Sequence, residues 1–303
     1  EILVIRSPYH RARFKFGDLK SFAAAQDLTT ILTAADVPGR NLFGVIPQFV
    51  DQPVFAEGEV RFRGEAGAAS VARPEIIAGL DPESFPVSWR KQPAVNDIQS
   101  AQGEGAAEIH EGRAQNVMCG GLVARGDAEA ALKRADVLVE GRFRSAFVEH
   151  AYIEPEAGFA QVLDGRLEVH ACTQAPMMDR EALEAILGME AARIRIVPSG
   201  VGGGFGSKLD PTVQPFLAIA ALKTGQAVRM RYSRTESMQS STKRHPSDIR
   251  LRIGANRNGK ISGISFFGEF DTGAYASWGP TVANRVPVHA SGPYSVKGYR
   301  AES

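Results

Sequence analysis

Eight residues, Val201–Lys208 (VGGGFGSK), constrain this chain more than any other stretch. Three consecutive glycines remove every Cβ, so the backbone there can adopt conformations closed to other residues and approach a partner closely. The run falls between a predicted strand, Arg193–Val197, and a predicted helix that Asp210 would cap with Pro211 at its first position. Loop N–H groups at such a helix start would favour an anionic ligand. Two familiar loop classes fail the spacing. A Walker A loop needs Gly-Lys-Ser/Thr, whereas Ser207 precedes Lys208 and Leu209 follows it. A dinucleotide fingerprint counted from Gly202 ends on Ser207 instead of glycine. A tight turn with no ligand stays open, but Phe205 has no use in a turn of that kind.

The flanking sequence reads as α+β, a mixed α/β layer arrangement. Glu1–Ser7, Thr30–Thr33, Gln52–Phe55 and Glu59–Phe62 look like short strands, and Ala66–Ala72 like a buried strand or a tightly packed turn. Residues 78–120 run through Gly, Pro, Ser, Gln and Asn with little periodicity and read as a connection. Beyond it, Asp127 can cap a helix carrying Ala128, Ala131, Leu132 and Ala135 on one face, followed by a strand over Val137–Phe147. Asp164-Gly165 and Asn258-Gly259 are hairpin turns. Gly188 ends a helix over Asp179–Leu187. Gly225 ends another whose apolar stripe is Val213, Phe216, Leu217 and Ala220. The expected division is 1–90, a connecting segment 91–120, and 121–303.

Composition removes several function classes. A net charge of +1 leaves no basic surface of the kind nucleic acid or an anionic membrane requires. No run of about twenty apolar residues suggests a membrane span. The two cysteines, Cys119 and Cys172, form no CxxC pair and hold neither zinc nor an iron–sulfur cluster by themselves; buried free thiols and a cytoplasmic setting are expected.

Five stretches, in order, resemble the xanthine dehydrogenase and aldehyde oxidase family of molybdenum hydroxylases. They are Thr33–Gly39 (TAADVPG), Val148–Gly158 (VEHAYIEPEAG), Cys172–Pro176 (CTQAP), the GGGFG loop, and Asp271–Tyr294 (DTGAYAS…HASGPY). The resemblance implies a small α/β "hammerhead" domain over 1–90 and the first part of a molybdopterin-binding domain over 121–303. It implies a molybdopterin-type cofactor approached by Gln174, Gly204, Phe205 and Gly206, with Gln174 hydrogen-bonded to an oxo ligand of the metal. Phe205 and Leu209 would line the substrate pocket. Purine-oxidising members carry Glu where this chain has Leu209, so xanthine is disfavoured as a substrate.

No residue of this chain is expected to ligate the metal directly. Glu149, His150, Glu154 and Glu156 are read as buried framework residues, and Lys208 as a solvated loop cation. The resemblance implies that the family's general base and a substrate-positioning Arg-Gly-Phe-Gly stretch would lie beyond Ser303. The chain reads as a split or truncated polypeptide, with no catalytic residue of its own and no activity in isolation. Its partners would be the remaining molybdopterin-binding half, an iron–sulfur subunit, an FAD subunit and a small-molecule substrate. The implied reaction oxidises aldehydes or N-heterocycles with oxygen from water. Two alternatives stand beside it. One is a non-catalytic structural subunit or inactive fragment of such a complex. The other, a nucleotide-binding α/β protein, is weakened by both failed fingerprints.

Overall fold

A computed structural model describes all residues from Glu1 to Ser303. Packing divides them into two compact units: Glu1–Ala94 with Glu149–Lys243, and Val95–Val148 with Arg244–Ser303. The units do not follow chain order, as the expected division at residues 90 and 120 does.

The first unit holds three sheets. Ala66–Val71 lies between Ile2–Arg6 and Thr30–Leu32, antiparallel to both, with Ile2 opposite Val71. Its side chains are small because all six positions are buried. Ala12–Phe16 lies between Glu59–Val60 and Val87–Lys91. The last of these strands falls inside the segment read from sequence as a connection. Its partner lies some seventy residues earlier, and Trp89 packs on Phe14 with ring centroids 5.3 Å apart. Conversely, Gln52–Phe55 is not a strand. Gln52 makes a single bridge to Phe43, and the Asn41 amide satisfies the backbone of Phe55 (Phe55 N–H to Oδ1 3.1 Å, Nδ2 to Phe55 O 2.8 Å).

The third sheet runs Ile194–Pro198, Arg166–Ala171, Ala157–Leu163, Val228–Arg231. Asp164 and Gly165 both have positive φ, as the tight hairpin between its two central strands requires. Helix Pro176–Leu187 crosses from Arg166–Ala171 to the parallel strand Ile194–Pro198 and stops at the left-handed Gly188. It begins three residues before Asp179, because Pro176 suits the first helical position. The N–H groups of Gly39 and Arg40 donate to the helix-end carbonyls of Ile186 and Ala185 (2.8 and 2.9 Å), so TAADVPG ends as a helix cap.

Helix Gln214–Thr224 is buried at every position from Gln214 to Ala221, so the expected one-sided stripe is an all-round apolar surface. Asp210 does not cap it: Val213 is the N-cap, Pro215 sits in the first turn, and Asp210 is buried at the end of a short 3-10 turn, Ser207–Leu209. Phe55 meets Phe216 on this helix at 5.2 Å between centroids. Ile2, Val4, Leu32, Leu167, Val169 and Leu217 join one apolar cluster.

The second unit is a five-stranded sheet ordered Leu122–Arg125, Gly298–Glu302, Ile261–Phe270, Ser247–Ala255, Val137–Ser145. Ser247–Ala255 and Ile261–Phe270 form the hairpin expected at Asn258-Gly259. Helix Ala128–Lys133 is capped by Asp127, which accepts from Ala130 N–H at 2.9 Å.

Candidate functional site

Two parallel strands of the four-stranded sheet, Arg166–Ala171 and Ile194–Pro198, end side by side. The chain leaving the first carries Gln174, and the chain leaving the second carries the glycine loop. Carboxyl ends of neighbouring parallel strands are where layered α/β sheets bind ligands, because the loops there converge on one crevice.

The glycines are spaced by what they touch. A Cβ on Gly202 would stand 2.6 Å from Glu154 Cβ, one on Gly203 2.9 Å from Tyr152 Cβ, and one on Gly204 2.3 Å from Gln174 Oε1. Phe205 follows with φ of 53°, a left-handed backbone that costs a non-glycine residue energy, and its side chain is 66% exposed. Gly206 is left-handed as well, with φ of 99°. Leu209 is half-buried at the end of the 3-10 turn.

Gln174 has a defined polarity. Its Oε1 accepts from the N–H groups of Gly206 (3.0 Å) and Lys208 (3.3 Å), and its own N–H donates to Lys208 O (2.9 Å). Only an oxygen can accept two N–H bonds, so the amide NH2 is the end left toward solvent. The loop does not lead straight into a helix start, and four of its N–H groups are already engaged within the protein. Gly202 N–H goes to Glu154, Gly206 and Lys208 to Gln174, and Ser207 to Gly204 O, while residues 209–213 separate the loop from the helix.

Lys208 corrects the reading of a solvated cation, for it is 1% exposed. Its Nζ donates to Glu154 Oε2 (2.7 Å) and Glu154 O (3.0 Å) and lies 4.5 Å from the centroid of the Tyr152 ring. Tyr152 donates its hydroxyl to Glu156, which is fully buried. Burial, then that hydrogen bond, pushes the Tyr152 hydroxyl up to about 12. Arg234 donates to the carbonyls of Tyr152 (2.8 Å) and Ile153 (2.6 Å), pinning the segment that carries Glu154. Glu149 pairs with Lys243 at 2.6 Å. The pairing of Glu154 with Lys208 is not visible in the sequence. The signal available was a lysine closing a glycine loop in a chain with an acidic VEHAYIEPE stretch.

Beneath Gln174, Asp179 is fully buried and accepts from Gln214 Nε2 at 3.0 Å. Burial pushes its carboxyl up to about 6 from 3.8. The nearby Asp210 adds to the rise, and hydrogen bonds to Thr173 and Gln214 oppose it. The native state therefore holds this proton more tightly than the unfolded chain does. The resulting stability is complete below about pH 4 and is lost as pH rises through about 6. Asp179→Asn is expected to raise stability at pH 8 by about 2–3 kcal/mol and to change it little at pH 4. Urea unfolding at the two pH values checks this, and an equal change at both would remove Asp179 as the cause.

Cys172 is buried, Cys119 half-buried, and both thiols are free. No group of three or more His, Cys, Asp or Glu side chains is placed to hold a metal ion. No helix is long and apolar enough to cross a membrane.

Fold and site together define a mixed α/β protein that presents an oriented amide and an exposed aromatic ring beside a Cβ-free loop. The family model described as "Molybdopterin cofactor-binding domain" matches residues 109–303. A probable xanthine dehydrogenase subunit of Bacillus subtilis is 34% identical over 99% of this chain and 40% of its own length. The nicotinate dehydrogenase large molybdopterin subunit of Eubacterium barkeri is 32% identical over 99% of this chain and 70% of its own. Among solved structures, the aldehyde oxidoreductase of Desulfovibrio gigas superposes with a TM-score of 0.92 at 26% identity, over 99% of this chain and 34% of that one. Quinoline 2-oxidoreductase of Pseudomonas putida 86 gives 0.90 at 25% identity, over 100% and 40%. The chain belongs to the molybdopterin cofactor-binding family of xanthine dehydrogenase and aldehyde oxidoreductase molybdenum-binding subunits. It spans less than half the length of most of these relatives.

Proposed function

We propose that this chain forms one wall of the molybdenum-cofactor site of a hydroxylase that oxidises aldehydes or N-heterocycles with oxygen from water. The observation that carries the reading is the polarity of Gln174: its oxygen is held by two backbone N–H groups and its NH2 faces outward. A neutral amide donor suits an oxygen-rich, metal-centred group, because it donates without adding charge. The cofactor, when bound, supplies the redox centre that takes two electrons from the substrate carbon. Gln174 would hold it by hydrogen bonding, and Gly204 and Gly206 by close backbone approach.

Phe205, on a strained backbone and exposed, would present a flat apolar face to a planar substrate and keep water from it. Leu209 would leave that pocket without the carboxylate a purine needs, which turns selection toward aldehydes and less polar heterocycles. The acidic groups around the loop are engaged: Glu154 with Lys208, Glu156 with Tyr152, Glu149 with Lys243. The proton-accepting base is therefore assigned to further polypeptide. Iron–sulfur clusters and FAD on partner chains would carry the electrons away.

The test is metal analysis of the native assembly containing this chain, followed by turnover of aldehydes and N-heterocycles in heavy-oxygen water. Near-stoichiometric molybdenum and heavy oxygen in the product are expected. An assembly without molybdenum overturns the proposal.

A further inference from the structure

Gln174 owes its orientation to Gly206 and Lys208 N–H groups, and those groups are themselves placed from the far side of the loop. Glu154 Oε2 accepts from Lys208 Nζ at 2.7 Å and from Gly202 N–H at 2.8 Å, and Glu154 N–H donates to Gly202 O at 3.2 Å. One carboxylate oxygen thus grips both the first glycine of the loop and the lysine two residues after its last. The ammonium lies in a fully buried position, closed by the Glu154 carbonyl and the Tyr152 ring. A buried ammonium is costly once its carboxylate is gone, so it must then move toward water. Lys208 cannot do that in place. Its N–H and C=O are the same groups that hold Gln174 Oε1 and Gln174 N–H. An ion pair that only tied two segments together would not need to run through the backbone that orients an amide.

The geometry points to Glu154 and Lys208 as positioning residues that act through the glycine loop to keep the Gln174 NH2 turned outward as a donor. The catalytic meaning of this rests on the proposed function; the positional part does not. Hydrogen exchange measured by mass spectrometry on the native assembly, in fragments spanning 202–209, reads it directly. Glu154→Ala should speed exchange of the Gly206 and Lys208 amides about tenfold or more, as Gln174→Leu should, because both variants free the same two N–H groups. Glu154→Gln, which keeps an oxygen for Gly202 N–H but leaves the buried ammonium without its charge partner, serves as the second variant if Glu154→Ala does not accumulate; it should loosen the same amides. Unchanged protection there, with strand Arg166–Ala171 still protected, overturns the inference.

A double-mutant comparison supplies the functional readout. Adding Glu154→Ala to Gln174→Leu should lower kcat no further, whereas an additive loss would mean that Glu154 does not act through Gln174. Molybdenum content of the same samples separates the two failures. Wild-type protein without the metal counts against the proposed function, and the exchange result still decides the role of Glu154.

Discussion

Gly158→Ala should destabilise the first unit by about 3 kcal/mol, which corresponds to a fall in melting temperature of about 6–12 °C. The added Cβ would stand 2.4 Å from His170 O and 2.9 Å from Leu217 Cδ1. Neither neighbour can give way. His170 belongs to a strand paired on both sides, with Phe159 opposite it on one and Val197 on the other. Leu217 is fully buried on the helix that packs against this sheet. The missing side chain at Gly158 is what lets that helix lie so close to the strand. Thermal unfolding of the assembly is the measurement, and an unshifted transition would contradict this packing.

Gly204→Ala should do the opposite: change stability little and remove function. Its Cβ would stand 2.3 Å from Gln174 Oε1 and 2.6 Å from Cδ, but these atoms end a solvent-facing side chain that can swing aside. Swinging aside breaks the bonds to Gly206 and Lys208 N–H and turns the donor away. Removing one preorganised donor from a reacting centre typically lowers kcat about 10²–10³-fold, and a loss of that order is expected here. The comparison needs kcat, unfolding midpoint and molybdenum content on one preparation. Unaltered turnover would detach Gln174 from the chemistry; a collapse in stability would mean that the amide is more rigidly packed than its exposure implies.

These two glycines mark the limit of what the amino-acid order reveals. Helix and hairpin ends are legible where their chemistry is local: Asp127 caps, Gly188 and Gly225 stop helices, and Asp164-Gly165 and Asn258-Gly259 turn strands. Val87–Lys91 is not legible as a strand, because its only partner, Ala12–Phe16, lies far back in the chain. Asp210 followed by Pro211 looks like a helix start, yet a second proline at Pro215 fits the first turn better, and Asp210 is drawn into the buried polar groups around Asp179. The candidate site is legible to the same extent. The fold brings Gln174 against Gly204 and Gly206, a contact between segments some thirty residues apart that no local pattern shows. The burial of Lys208 could not be read, since it is decided by Glu154, fifty-four residues earlier.

The interleaving of the two units has a consequence for how the chain is made. The core of the first unit joins Ile2, Leu32 and Phe55 to Leu167, Leu217 and Met230. Those early residues cannot be buried until Lys243 or so has left the ribosome, some 150 residues after Ala94. At about 5–20 residues per second, the interval is on the order of ten seconds. For that time the nascent segment carries an apolar surface whose lawful partner does not yet exist, and its edge strands are open to any other chain nearby. Production of such a protein is thus governed by the pace of translation and the supply of holding chaperones as much as by the stability of the finished fold.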